Sequence, residues 1–201
     1  MVSEDAYAVL IEAKNRLLVG QPISLAWAVE YGDQLHDAWV NCEAPRLLLD
    51  IVAFVAPREV VADTLLDIAT MALPAIRLPR QAAKAVQIAR RVIRNDASVE
   101  ELNDALAAAS RSNRPGSSRD PSECALRAIM AAGSFVVRDE RAHSPDDRTV
   151  TRVRYVQEVE AQAATALGDT DETMATMVEI VRAHMPTLTL ADIVRATEPK
   201  Q

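Results

Sequence analysis

The chain has 201 residues, of which 49% are hydrophobic and 25% charged, and its net charge is −7. That balance excludes wholesale disorder, and the acidic excess excludes a general nucleic-acid binder, because nothing here neutralises a phosphate backbone on the scale required. Aromatic residues are only 3%, so the core is built from Ala, Leu, Val and Ile, whose small side chains let helices approach closely.

A first helix is expected from about Ser3 to Val19, with Tyr7, Leu10, Ile11, Leu17 and Leu18 as its apolar stripe, broken by Gly20-Gln21-Pro22. A second runs from Ser24 to about Val40, where Trp27, Tyr31, Leu35 and Trp39 recur every four residues and form one face. Its other side holds Glu30, Asp33 and Asp37 around His36. Pro45 and Pro57 punctuate the next two segments. The first, Arg46 to Val55, is almost wholly apolar and reads as a short buried helix. The second, Arg58 to Leu73, carries Glu59, Asp63 and Asp67 on one acidic line at intervals of four. Leu73 to Pro79 is a stiff connection bounded by prolines.

The segment from Arg80 to Asn95 is strongly amphipathic. Ala82, Val86, Ala89, Val92 and Ile93 make one face, while Arg80, Lys84, Gln87, Arg91 and Arg94 follow a four-then-three rhythm on the other. Between Leu73 and Asn95 stand six basic residues and no acid. After Asn95-Asp96 a helix opens at Ser98 and ends near Ser110. Arg111 to Asp120 has linker composition and is expected to be an exposed loop. Helices follow from Pro121 to about Arg138, from Pro145 to about Leu167 with a stop at Gly168, and from Thr170 to Met185 with a stop at Pro186. A last short helix begins at Thr189, where Asp192 completes a capping pattern, and the tail from Glu198 should fray.

Four starts share one grammar: Ser98-Val99-Glu100-Glu101, Asp120-Pro121-Ser122-Glu123, Ser144-Pro145-Asp146-Asp147 and Asp169-Thr170-Asp171-Glu172. Each places a side-chain acceptor before the helix and an acid three residues later, where it meets the positive end of the helix dipole. With five glycines and almost no β-branched alternation, the chain is expected to be all-α. It reads as a single-domain bundle or stacked helical hairpins spanning 1–201, about 8–10 helices in all.

Chemistry is sparse. The Glu30/Asp33/Asp37 cluster around His36 has donors of a kind that hold divalent metals, but no second His stands at ligand spacing, so it reads as a solvated face. His184 falls near a helix C-terminus, where a cation is favoured. Trp27 and Trp39 read as core anchors, Met174, Met177 and Met185 as packing, and Cys42 and Cys124 as two buried thiols rather than a disulfide. No phosphate loop, nucleophile elbow, dinucleotide fingerprint or zinc motif is present. No enzyme activity, cofactor, metal, nucleic-acid or membrane partner is therefore expected. The start, Met1 to Asp5, is acidic where a signal peptide would be basic, and no apolar run approaches membrane-spanning length, which points to the cytoplasm.

The basic face has two readings. It either pairs with the Glu59/Asp63/Asp67 line of the preceding helix, as consecutive antiparallel helices allow, or it is a recognition surface for an acidic partner. In the second case the protein is a scaffold or adaptor that docks through Arg80, Lys84, Arg91 and Arg94.

One longer pattern runs from Ala38-Trp39-Val40-Asn41-Cys42 through Leu47-Leu48-Leu49 to Ala72-Leu73-Pro74. It continues with Leu78-Pro79-Arg80-Gln81-Ala82, Ala85, Ala89 and Arg90, then Asp96 to Leu102 and Ala105, and closes with Val178 to Pro186. Over about half the chain this order resembles a group of alanine-rich helical bacterial proteins, uncharacterised or assigned to immunity in polymorphic toxin systems. The resemblance implies a non-catalytic, protein-binding module that neutralises a toxin. Glu30, Asp33, Asp37, Glu59, Asp63 and Asp67 are then the expected contact residues for a basic partner.

Overall fold

The structure, a computed structural model, describes residues 30–113, 120–138 and 145–197. Among them are nine α-helices and no strand: α1 (Leu35–Asn41), α2 (Pro45–Val55), α3 (Arg58–Met71), α4 (Pro79–Ile93), α5 (Val99–Ser112), α6 (Pro121–Arg138), α7 (Pro145–Leu167), α8 (Asp171–His184) and α9 (Leu190–Thr197). The protein is all-α, as its punctuation implies. The expected Ser3–Val19 helix, Trp27, the Ser144 cap, most of the Arg111–Asp120 loop and the tail from Glu198 lie outside the described residues.

Local chemistry sets the helix starts. Ser98 Oγ accepts from the Glu101 N–H at 3.1 Å, and Asp120 Oδ1 accepts from the Ser122 N–H at 2.9 Å beside Pro121 at the first helical position. Before α9 the cap is reciprocal: Thr189 Oγ1 accepts from the Asp192 N–H while Asp192 Oδ2 accepts from the Thr189 N–H. At α8 the cap shifts by one residue from Asp169. Thr170 holds the extended backbone that a cap requires, and its Oγ1 accepts from the Thr173 N–H.

Helix ends are closed partly from a distance. Arg58 donates to the Val136 carbonyl at the end of α6 (2.7 Å), Arg152 to the Ala56 carbonyl after α2 (3.1 Å), and Arg182 to the Trp39 and Cys42 carbonyls at the end of α1. Each guanidinium supplies donors to carbonyls in or just after the last turn of another helix, and places positive charge at the negative end of the dipole.

Helix α3 lies at the centre and packs against α2, α4, α6, α7 and α8; Val61, Ala62, Leu65, Leu66, Ile68 and Ala69 on it are fully buried. The most extensive pairing is between α6 and α7, where Phe135 meets Tyr155 edge to face with centroids 6.1 Å apart. Next comes the α4–α5 hairpin, turned at Asn95, whose φ is +60°. Helix α5 comes close to α6 at Gly133, whose missing side chain leaves room for Leu106. The buried side chains of all these helices form one contiguous cluster.

Two expected boundaries change. The Ser24–Val40 helix is interrupted by a 3-10 turn at Gly32–Gln34, because Gly32 takes a left-handed φ of +49°. That break rotates Tyr31 off the Leu35/Trp39 face, and Tyr31 is 43% exposed while Leu35 and Trp39 are buried. Helix α5 runs on to Ser112 rather than stopping near Ser110. Ser112 and Asn113 side chains donate to the Ala108 and Ala109 carbonyls, and Asn113 is buried, so the first residues of the expected loop belong to the packed body.

Candidate functional site

Trp39 is fully buried, and its indole N–H donates to the Met185 carbonyl at 3.0 Å, so its role as a core anchor holds. Met177 is buried, with Met174 and Met185 packed against the core. Cys42 and Cys124 form no disulfide. Cys124 is buried as expected, but Cys42 is only half-buried, because the chain leaves α1 there in an extended conformation at the surface.

Around that surface the Glu30–Cys42 segment forms an exposed edge. An open, shallow groove is lined by Tyr31, Gln34, Asp37, Ala38, Asn41 and Cys42. Tyr31 and Val40 are each 43% exposed, and the Glu30, His36 and Asp37 side chains are exposed as well. Asp33 lies in the 3-10 turn. The edge is held from behind: Arg182 of α8 binds the Trp39 and Cys42 carbonyls, and the Asn41 amide donates to the Asp37 carbonyl at 2.8 Å. An acidic rim, an aromatic side chain and a fixed backbone thus share one short segment.

The second acidic line divides along α3. Glu59 is exposed and Asp63 half-buried. Asp67 is committed to an internal triad: one carboxylate oxygen pairs with Arg90 of α4 and the other lies 2.6 Å from His184 Nε2 in the last turn of α8. Three helices are tied through one carboxylate. The Asp67–His184 pair fixes the imidazole, and His184 also stands at a helix C-terminus as its position implied. Among the described residues, no group of three His, Cys, Asp or Glu side chains is placed to hold a metal ion.

The basic face of α4 does not pair with the acidic line of α3. Arg90, on the flank of that face, makes the contact to Asp67. The face itself points outward: Arg80, Lys84, Gln87, Arg91 and Arg94 are exposed, because Ala82, Ala85, Val86, Ile88, Ala89 and Val92 bury the opposite side. Arg91 pairs with Glu101 of α5 at 3.0 Å and donates to the Asp96 carbonyl. Arg80, Lys84 and Arg94 form no ion pair with any described residue.

One group escaped the sequence reading. Asp50, in the apolar run of α2, is buried, with Gln157 Nε2 at 3.4 Å and the Arg46–Glu160 ion pair also joining α2 to α7. Burial pushes its carboxyl above the ordinary carboxylate value; the Gln157 hydrogen bond and Arg46 oppose that rise, and Glu160 adds to it. A lone acid between Leu47-Leu48-Leu49 and Ile51-Val52 was the available signal.

Compared with known proteins, the chain matches no family model, no curated protein and no solved structure.

Proposed function

We propose that this chain is a non-catalytic, cytoplasmic protein-binding module of the immunity type, which neutralises a toxin by covering a basic surface on it. The observation that carries this reading is the Glu30–Cys42 edge. Exposed Tyr31 and the Asp37 carboxylate line an open groove, Glu30 and Val40 are exposed on the same segment, and Arg182 fixes the backbone at its end. Aromatic side chains within a polar rim are the composition in which interface energy concentrates, and a rigid edge loses little entropy on binding.

The net charge of −7 supports attraction to a basic partner, with carboxylates contributing mainly to the rate of encounter. Glu30, Asp33, Asp37, Glu59 and Asp63 are the contact residues in this reading. Asp67 enters it differently, since a partner's cation must first displace Arg90 and His184. No helix among the described residues is long and apolar enough to cross a membrane.

The test is crosslinked co-purification from the native host, followed by binding kinetics with the recovered protein. Charge reversal at Glu30 and Asp37 should slow association by about tenfold and reduce its salt dependence, while Tyr31→Ala should mainly speed dissociation. Recovery of a small-molecule substrate with no protein partner would overturn the proposal. Association unaffected by both reversals and by Tyr31→Ala would do the same.

A further inference from the structure

Helix α4 carries a second surface of opposite sign. Its exposed polar positions, four cations and Gln87, follow offsets of four, three, four and three residues from Arg80 to Arg94, an average period of 3.5 rather than 3.6. A face with that period stays aligned with a helix lying alongside it, as in a coiled-coil seam. From Arg80 to Arg94 the face is about 21 Å long at the usual helical rise. The buried alanine-rich side holds α4 firmly against α5 and α6, so the stripe is presented on a rigid support. Leu78, 58% exposed, stands just before the first cation and offers an apolar contact at one end.

The charge is also uneven in a useful way. Arg90, Arg91 and Arg77 are already paired, with Asp67, Glu101 and Asp120 respectively. Arg80, Lys84 and Arg94 remain, spread along the whole stripe in a stretch that contains no acid.

We infer that the exposed face of α4 docks an acidic amphipathic helix of a partner protein. Arg80, Lys84 and Arg94 meet its carboxylates, and Leu78 meets an apolar side chain near its end. The surface is distinct from the Glu30–Cys42 edge and does not depend on it. An acidic helix suits the stripe better than a nucleic acid does. Three uncommitted cations fall short of the six to ten phosphate contacts typical of salt-sensitive nucleic-acid binding, in a chain whose net charge is −7. They also fall short of the four to eight clustered cations that read as a lipid-surface site.

The test uses the full chain and two synthetic helical peptides of one composition. In the first, glutamates repeat at offsets of four and three with a terminal leucine; in the second, the same residues are scrambled off any single face. The aligned peptide should bind at least tenfold tighter than the scrambled one. The Arg80→Glu/Lys84→Glu/Arg94→Glu variant should lose that preference, and Arg154→Glu, an exposed change on α7, should keep it. Amide shifts of the unmodified protein on titration should map to residues 78–94, which keeps the inference testable if the triple variant fails to fold. Equal affinity for both peptides, shifts that map elsewhere, or an equal loss in Arg154→Glu would overturn it. So would tighter binding to a single-stranded oligonucleotide or to phosphatidylserine vesicles than to the aligned peptide.

Discussion

Replacing Gly133 with alanine tests how closely α5 and α6 approach. Two effects oppose each other. Alanine is favoured over glycine in a helix interior by about 1 kcal/mol. An added Cβ, however, would lie 2.7 Å from Leu106 Cδ2, closer than real contacts allow, and 3.0 Å from Cδ1, which is also tight. Leu106 is itself buried, so it must leave its rotamer or push its neighbours, at a cost of about 1–3 kcal/mol. Overpacking wins, and Gly133→Ala should lower stability by about 1 kcal/mol, or roughly 2–4 °C in Tm for a chain of this size. Leu106→Ala alone should cost about 3–5 kcal/mol, the range for a large-to-small change in a core. In that background the clash is gone and the new methyl group enters vacated space, so Gly133→Ala should become stabilising. Urea denaturation of the four proteins gives a coupling energy, expected at about 1–3 kcal/mol. A Gly133→Ala variant that is stabilised by about 1 kcal/mol on its own would refute the close approach. The same change in both backgrounds would refute it too.

Asp50→Asn should raise Tm at neutral pH. Because burial lifts the Asp50 carboxyl above its unfolded value, whatever stability it contributes is fully present below the unfolded pKa and lost as pH rises through the folded one. The variant and the original protein should therefore converge in melting scans taken toward acid, and a gap that widens there would contradict the sign. Trp39→Phe leaves the Met185 carbonyl without its indole donor and should cost about 1–3 kcal/mol, with Trp39→Ala nearer 3–5, both read from denaturant midpoints. Thr189→Ala removes the acceptor side of the reciprocal cap and should destabilise α9 by about 0.5–2 kcal/mol; faster amide exchange confined to 190–197 is the measurement.

The sequence marks the helices wherever the determinant is local. Pro121, Pro145 and Gly168 bound α6 and α7 because fixed φ, an absent N–H or a left-handed backbone acts within one turn. Ser98 and Thr189 cap their helices for the same reason, through bonds three residues long. Gly32 misled, since a glycine after Tyr31 is compatible both with an unbroken apolar stripe and with the 3-10 break that exposes Tyr31. The rest is tertiary. Asp67 meets Arg90 across 23 positions and His184 across 117, and no spacing rule reaches that far. The long-range arginine caps are hidden for the same reason, because Arg58, Arg152 and Arg182 each serve a helix other than their own. The candidate surfaces were visible as charge patterns. Which of their charges are internally neutralised was decided only by the packing.

The bonds that hold the end of α1 give the protein a timetable. Trp39 donates to the Met185 carbonyl, and Arg182 closes the Trp39 and Cys42 carbonyls, across separations of 140 to 146 residues. At ordinary rates of synthesis, about 5–20 residues per second, that interval takes roughly 7–30 s. During it α1 lacks these bonds, while α2 to α7 gain one another as packing partners as they are made. The edge proposed to meet a toxin is made early and fastened late. A chain truncated before Arg182 would carry every residue of that edge and none of these three bonds that hold it in shape.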